Sequence, residues 1–310
     1  MAFPWAEING YANEFFLEEP ADAIYKGNVL ASRMGTNGRI NVDGGRAINL
    51  PVEFAKANGG NYDGAYDIIN ATVKKTHDYG TLDWKFKWAE TVISDKDILM
   101  NSGSSKIRDL VRDKVLSMKS KIRDLIGTGI YSAGTDTTEI DGLGLSVDTG
   151  NTYAGIAQGT YTWWKAAGED SSSTTITIPL LTTAFFDTVA NSPDQETPTV
   201  WTTTATIMAA VSLLAQPQQR FMGDNCNVGF PSLAVMGIPM ILDSKCTASH
   251  LYLLNEKYLG LTVASNFNMT FTGFETPINQ PSARIAISKW GGNLLNRLPG
   301  TMYKFSALTA

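Results

Sequence analysis

The sequence predicts an α+β protein built around one long helix, and three observations carry that expectation. In residues 104–126 the apolar side chains Ile107, Val111, Val115, Met118, Ile122 and Ile126 recur at intervals of three and four, the stripe of an amphipathic helix. Two other runs alternate with period two: Ile48, Leu50, Val52 and Phe54, then Leu82, Trp84, Phe86 and Trp88 with Asp83, Lys85 and Lys87 between them. Alternation of that kind is the signature of half-buried strands. Residues 171–242 form the third: their only charged members are Asp187, Asp194, Glu196, Arg220 and Asp224, which sets a weakly charged lobe against a charged rod. With 310 residues, 43% of them hydrophobic and 18% charged, the chain can bury a substantial core and is expected to divide into about two domains.

Taken in order, residues 1–34 show no clear period. Phe3, Trp5, Tyr11, Phe15, Phe16 and Tyr25 are scattered through them, an apolar arm that needs another surface to cover it. The two alternating runs follow, joined through a tip at residues 56–64 whose glycines and asparagines suit a turn and not a core. Together they read as a projecting, hairpin-like loop that is unstable unless it packs on something. Ser94 and Asp97 have the spacing of a capping box. The rod itself would run roughly 34 Å at 1.5 Å per residue, and Gly127 and Gly129 are expected to end it.

Residues 134–159 read as short strands joined by tight turns, and Tyr161-Thr-Trp-Trp164 as an aromatic strand. Next come a polar loop at 171–175, a short helix at 181–190, a strand at 199–201 and a helix at 205–215 capped by Thr204. That alternation predicts a small α/β lobe between about residues 171 and 243. The last third reads as extended strands at 251–254, 258–263, 269–274 and 283–288.

The composition excludes several functions. Thirty acidic against 25 basic residues give a formal charge of −5, unlike the cationic footprint of a nucleic-acid reader. The longest uncharged run, residues 197–219, is bounded by prolines and reads as core, so no membrane span is expected. Cys226 and Cys246 are too few for a disulfide framework and no signal peptide opens the chain, which makes a reducing compartment the default.

His77 and His250 are the only histidines, and neither a phosphate-cradling glycine loop nor a Gly-x-Ser-x-Gly elbow occurs. Cys246 and His250 lie four apart, yet a structural zinc site wants four ligands and only Cys226 could add a third. The expectation is no enzyme, no cofactor and no metal site. Arg108, Arg112 and Arg123, each followed by an aspartate, read either as a solvated helix face or as charges that set register between subunits.

The order of these parts, together with Ile107-Arg-Asp-Leu110, Tyr153-Ala-Gly-Ile156, Tyr161-Thr-Trp-Trp164, Gln216-Pro-Gln-Gln-Arg-Phe221, Leu251-Tyr-Leu-Leu-Asn255, Tyr258-Leu259 and Gly292-Asn-Leu294, resembles the major capsid proteins of tailed bacteriophages. The resemblance covers nearly the whole chain. It implies the shell-protein fold shared with herpesviruses and encapsulating shells: an N-terminal arm (1–34), an extended two-stranded loop (35–90), a peripheral domain with the spine helix (91–170), an axial domain (171–249), peripheral return strands (250–294) and a C-terminal segment returning to the axial domain (295–310).

It further implies self-assembly into hexamers and pentamers of an icosahedral or prolate shell in the host bacterial cytoplasm, around double-stranded DNA contained without sequence-specific binding. A portal protein is an implied partner. The chain starts directly at the arm, where many relatives carry a fused scaffolding segment, which implies separate scaffolding or none; decoration proteins are further candidate partners. The surfaces expected to meet neighbouring subunits are Phe15 and Phe16 of the arm, Ile48, Leu50, Val52, Phe54, Lys56, Trp84, Phe86 and Trp88 of the loop, and Arg108, Arg112 and Arg123 of the spine. Nothing in the sequence identifies a partner for Lys56 in the lysine-to-asparagine cross-link of one branch of the family. An encapsulating shell around enzymes, or a tail or fibre component, is the alternative function.

Overall fold

The computed structural model describes residues 9–10, 12, 28–37, 39–59, 72–101, 104–219 and 233–309. In chain order these form α1 (Val29–Asn37), β1 (Arg39–Val42), β2 (Ile48–Glu53), β3 (His77–Leu82), β4 (Lys85–Ser94), α2 (Asp95–Met100), α3 (Ser104–Ile130), α4 (Leu143–Ser146), β5 (Thr152–Tyr153), β6 (Ile156–Ala157) and β7 (Gly168–Asp170). They continue with α5 (Ile178–Asn191), β8 (Val200–Thr203), α6 (Ala205–Gln219), β9 (Leu233–Val235), β10 (Ile238–Leu242), β11 (Leu251–Leu254), β12 (Leu259–Ala264), β13 (Thr270–Phe271), β14 (Ala283–Asn296) and β15 (Tyr303–Phe305).

Two sheets dominate. Named after the domains that the resemblance implies, the peripheral sheet has the order β1-β12-β14-β13, with β4 also pairing to β14, and the axial sheet runs β7-β15-β11-β8-β10-β9. The spine α3 packs across the peripheral sheet. Its stripe residues Ile107, Val111, Val115, Met118, Ile122 and Ile126 are all buried, in one cluster with Ala89 and Ile93 of β4, Leu261 and Val263 of β12, and Ala286 and Trp290 of β14. Helix α2 begins with the expected capping box: the Ser94 hydroxyl accepts from the Asp97 N–H, and the Asp97 carboxylate accepts from the Ser94 N–H.

Gly127 and Gly129 do not end the spine, which continues to Ile130, about 40 Å in all. These glycines serve close packing. A Cβ on Gly127 would come within 2.5 Å of the Asn28 Oδ1, and one on Gly129 within 2.6 Å of the Ile140 Cδ1. The helix stops where Tyr131 turns to donate its hydroxyl proton to Asp243 at 3.0 Å.

The loop differs from its sequence reading. Strand β2 does pair with an antiparallel partner, but in the register Ile48↔Leu82 to Glu53↔His77, with β3. The second alternating run breaks at residues 83–84, and β4 pairs along its whole length with β14, from Ala283↔Ser94 to Gly292↔Lys85. Ten paired residues inside a sheet satisfy more backbone donors and acceptors than a free hairpin arm could. Since β1 lies parallel to β12, residues 39–42 and 85–94 belong to the peripheral sheet and not to a projecting loop.

Three further expectations are corrected. Tyr161-Thr-Trp-Trp164 is a turn, closed by the Trp164 N–H on the Tyr161 carbonyl at 2.9 Å, because burying the Trp164 ring against Tyr153 dominates over strand propensity. Strand β11, assigned to the peripheral return, pairs with β8 and β15 in the axial sheet. Part of the aperiodic arm is helical: α1 buries Leu30, Ala31 and Met34.

Candidate assembly surfaces

The residues expected to meet neighbouring subunits fall into three groups. The apolar face of β2 is covered within the chain itself: Ile48, Leu50 and Val52 are buried with Leu82, Tyr153, Trp164 and Leu295. A Cβ on Gly80 would stand 3.0 Å from the Ala154 Cβ, which measures how closely the hairpin lies on the β5–β6 turn. Phe54 stacks on Trp163 at 5.3 Å, and Trp84 is half-buried, its Nε1–H donating to the Gly45 carbonyl at 3.0 Å. Ile48, Leu50 and Val52 are therefore corrected from an external to an internal role, while Phe54 and Trp84 are half-buried against their own subunit. The greasy side of a hairpin base finds aromatic partners already present in its own subunit.

Phe86 and Trp88 behave oppositely. They are 55% and 59% exposed, because β4 turns Ala89, Thr91 and Ile93 toward the spine and the alternate positions outward. Cross-strand pairing of Trp88 with Lys289 and of Glu90 with Ile287 puts those residues on the same outer face. Phe267 meets Phe86 edge to face at 5.5 Å, and Gly291 leaves the space over which the Phe86 ring lies, since a Cβ there would come within 2.9 Å of it. The result is an apolar groove of about 360 Å³ lined by Phe86, Lys87, Trp88, Phe267, Ile287 and Lys289. Lys56 is exposed, and Phe15 and Phe16 lie outside the described residues.

On the spine, Arg108 and Arg112 are exposed and Arg123 half-buried. Arg123 donates to the Ser120 hydroxyl at 3.3 Å, and Asp124 pairs with Lys245 at 3.0 Å, tying the helix to the chain beyond β10.

Two polar clusters join the lobes, and neither was evident in the sequence. Lys304 on β15 is 4% exposed, and its ammonium donates to Asp148 Oδ2 at 2.6 Å, Glu169 Oε1 at 2.9 Å and the Gly144 carbonyl at 3.1 Å. All three of its protons have acceptors. Burial raises the Asp148 pKa, but the Lys304 ammonium and the N–H groups of Gly150 and Asn151 outweigh it and hold the carboxyl below its usual range.

The second cluster anchors α1. The Asp243 carboxylate accepts from the Leu30 N–H at 3.4 Å and from the Tyr131 hydroxyl, Asn28 donates to the Arg123 carbonyl at 3.0 Å, and Arg33 forks onto both oxygens of Glu256 at 2.5 and 2.8 Å. A lysine flanked by Tyr303 and Phe305 is the only local hint of the first cluster; its carboxylates stand more than a hundred residues away in sequence.

The Cys246 thiol is buried, and burial together with the nearby Asp243 carboxylate raises its pKa to about 12, which makes it an inert packing group. Its sulfur faces the backbone carbonyl of His250 at 3.8 Å. Among the described residues no group of three or more His, Cys, Asp or Glu is arranged to hold a metal, and no helix is long and apolar enough to cross a membrane.

No protein-family model matches the chain, and no curated protein matches it. Solved structures do. A cyanophage A-1(L) capsid subunit superposes with a TM-score of 0.70 at 18% identity, covering 88% of this chain and 91% of that one. A subunit of the native GTA particle capsid gives 0.64 at 12% identity, with 88% of each chain covered. The SrpI encapsulin of Synechococcus elongatus PCC 7942 gives 0.52 at 12% identity over 75% of this chain and 78% of that one. Peripheral sheet, crossing spine and axial sheet together make up the fold of phage major capsid proteins, and this chain has that fold.

Proposed function

We propose that this chain is the major capsid protein of a tailed phage, a structural subunit that assembles with copies of itself into hexamers and pentamers of a closed shell around double-stranded DNA. The observation that carries the reading is the fold shared along most of the chain with a cyanophage capsid subunit. The exposed aromatic groove on the outer face of the peripheral sheet supports it, since apolar surface of that kind on a folded domain marks an interaction site. A shell multiplies one modest contact over many copies, so no single interface has to be strong.

Portal, scaffolding and decoration proteins are the partners this role calls for, and the virion is where the subunit would reside. The formal charge of −5 suits a lining that contains DNA without gripping its phosphates. The second reading, an encapsulating shell around enzymes, draws on the likeness to the encapsulin; the greater coverage and TM-score of the phage capsid favour the first.

Electron microscopy of the purified chain, alone and with its neighbouring gene products, tests the proposal. Closed polyhedral particles are expected, filled with DNA when produced in the infected host. A monomer at every concentration would overturn the shell reading, and particles loaded with a host enzyme would favour the second one.

A further inference from the structure

Strand β4 has β14 on one side and no strand on the other. The Asp95 N–H donates to the Ser282 carbonyl at 3.0 Å, one step beyond the Ala283↔Ser94 pair. That bond fixes the parity of the antiparallel ladder: residues 85, 87, 89, 91 and 93 turn their backbone groups toward β14. The far side of β14 agrees, where the Ile285 N–H donates to the Glu275 carbonyl and the Ile287 carbonyl accepts from the Thr272 N–H. Phe86, Trp88, Glu90 and Val92 therefore point four N–H and four C=O groups away from the sheet, and among the described residues nothing hydrogen-bonds to them. The Ser94 N–H faces the same side and is satisfied by the Asp97 carboxylate at 3.3 Å. All four side chains are exposed as well.

Proteins normally blunt such an edge with proline, a bulge or a lysine. The hairpin does so. The Phe54 N–H on the Thr76 carbonyl sets its parity, so Asn49, Pro51 and Glu53 make the outer edge of β2, and Pro51 has no N–H to offer. On β3 the Thr81 N–H is taken up by the Ala154 carbonyl at 2.9 Å. Strand β4 carries neither protection. No proline, glycine or bulge interrupts its register from Ser94 to Lys85. Its two lysines have the spine-facing parity and give their ammoniums to the Thr137 and Thr138 carbonyls at 2.8 and 3.1 Å. An unblunted edge is a template for another strand.

The residues along this edge select a second copy as that strand, because β4 is complementary to itself. Laid antiparallel with Ala89 facing the partner's Ala89, it sets Phe86 opposite the partner's Val92 and Trp88 opposite the partner's Glu90, and every free N–H and C=O finds an acceptor or donor. An aromatic ring against a β-branched side chain is a favourable cross-strand pair. Sliding the partner one way puts Glu90 against the partner's Glu90, two like charges, and Phe86 against the partner's Ser94, whose N–H is already in the cap. Sliding it the other way leaves Val92 opposite nothing within the strand.

We propose that the free edge of β4 pairs antiparallel with the same edge of a second copy, about a two-fold axis beside Ala89, joining two peripheral sheets into one. Resting on the shell reading above, the contact is isologous: both copies present the same surface. It names backbone pairing, and not only apolar burial, as what holds neighbouring subunits together.

The test mixes two full-length variants, Phe86→Cys and Val92→Cys, followed by mild oxidation. Phe86 and the partner's Phe86 would stand six positions apart, roughly 20 Å, so linked dimer is expected in the mixture at about five times the amount found with either variant alone. Glu90→Pro removes an N–H that faces away from β14, so it is expected to keep the unfolding midpoint and to weaken dimer formation, measured by sedimentation, about tenfold. The inference is overturned if the mixture links no better than the single variants, if linking appears only when another virion protein is added, or if a folded Glu90→Pro dimerises like the unaltered chain; should Glu90→Pro fail to fold, the cross-link decides. Shells that form without these links defeat the pairing and leave the shell reading standing, whereas linked dimers that never close into shells do the reverse.

Discussion

At the scale of single residues, Lys304 illustrates how a polar group becomes structural. A lysine in a three-residue strand would ordinarily point its ammonium at water; here it is enclosed by two carboxylates and a carbonyl drawn from α4, the segment after it, and β7. Removing one partner of such a cluster is worse than never having built it, since the others stay buried without compensation. Lys304→Met is therefore expected to cost about 3–5 kcal/mol, read as a lower denaturation midpoint, and combining it with Asp148→Asn and Glu169→Gln should recover most of the loss. The pH dependence has a definite sign. The Asp148 pKa is lowered in the fold, so its contribution is fully present above the ordinary aspartate value of about 3.9 and is lost as the pH falls through the depressed value. Acid titration of stability should show this step below about pH 4 in the unaltered chain and lose it in the Lys304→Met variant. Gly142 is the geometric counterpart: a Cβ there would meet the Gly129 carbonyl and the Ser132 backbone within 2.6 Å, a site where backbone and not a movable side chain forbids any larger residue.

At the scale of elements, what was legible in the sequence depended on how local the determining pattern was. The spine stripe, the capping box at Ser94, the two axial helices and the strands β8, β11, β12 and β14 are each specified by period, cap or propensity within about fifteen residues, and the structure has them. What sequence reading missed is pairing. The alternation of Leu82, Trp84, Phe86 and Trp88 is real, but it spans the break between β3 and β4, and the apolar side of β4 near that break faces outward because Ala89, Thr91 and Ile93 take the inward parity. Small residues inward and aromatic ones outward is the reverse of the usual pattern, and no local rule reveals it. The interface candidates accordingly divide into a buried set at Ile48, Leu50 and Val52 and an exposed set at Phe86 and Trp88. Leu50→Ser is expected to destabilise the subunit by about 2–5 kcal/mol through a cavity and a buried hydroxyl. Trp88→Ser should leave the unfolding midpoint nearly unchanged and instead prevent stable shells. Measuring denaturant midpoint and particle yield for both variants checks the division; equal destabilisation by the two would remove Phe86 and Trp88 from the assembly surface.

At the scale of the whole molecule, the two lobes are not consecutive pieces of chain. The chain enters the peripheral sheet at β1 and β4, builds most of the axial sheet from β7 to β11, returns to the peripheral sheet for β12 to β14, and ends in the axial sheet as β15. The last strand is an interior one. It lies between β7, to which it is parallel, and β11, to which it is antiparallel, and it brings Phe305 and Leu308 into the axial core and Lys304 to the junction between lobes. Deleting residues 303–310 would therefore open two strand edges, empty two core positions and leave Asp148 and Glu169 without their ammonium. A large aromatic alone is worth about 3–5 kcal/mol in a core, and the unpaired carboxylates add a loss of similar size, against a total stability of about 5–15 kcal/mol for an ordinary domain. The expected product keeps helical far-ultraviolet dichroism from the spine and loses the near-ultraviolet signal of Trp201 and its packed neighbours, because the closing strand supports the axial lobe as a unit. A truncated chain with native near-ultraviolet dichroism and normal shells would mean that β7 and β11 can close the axial sheet without it.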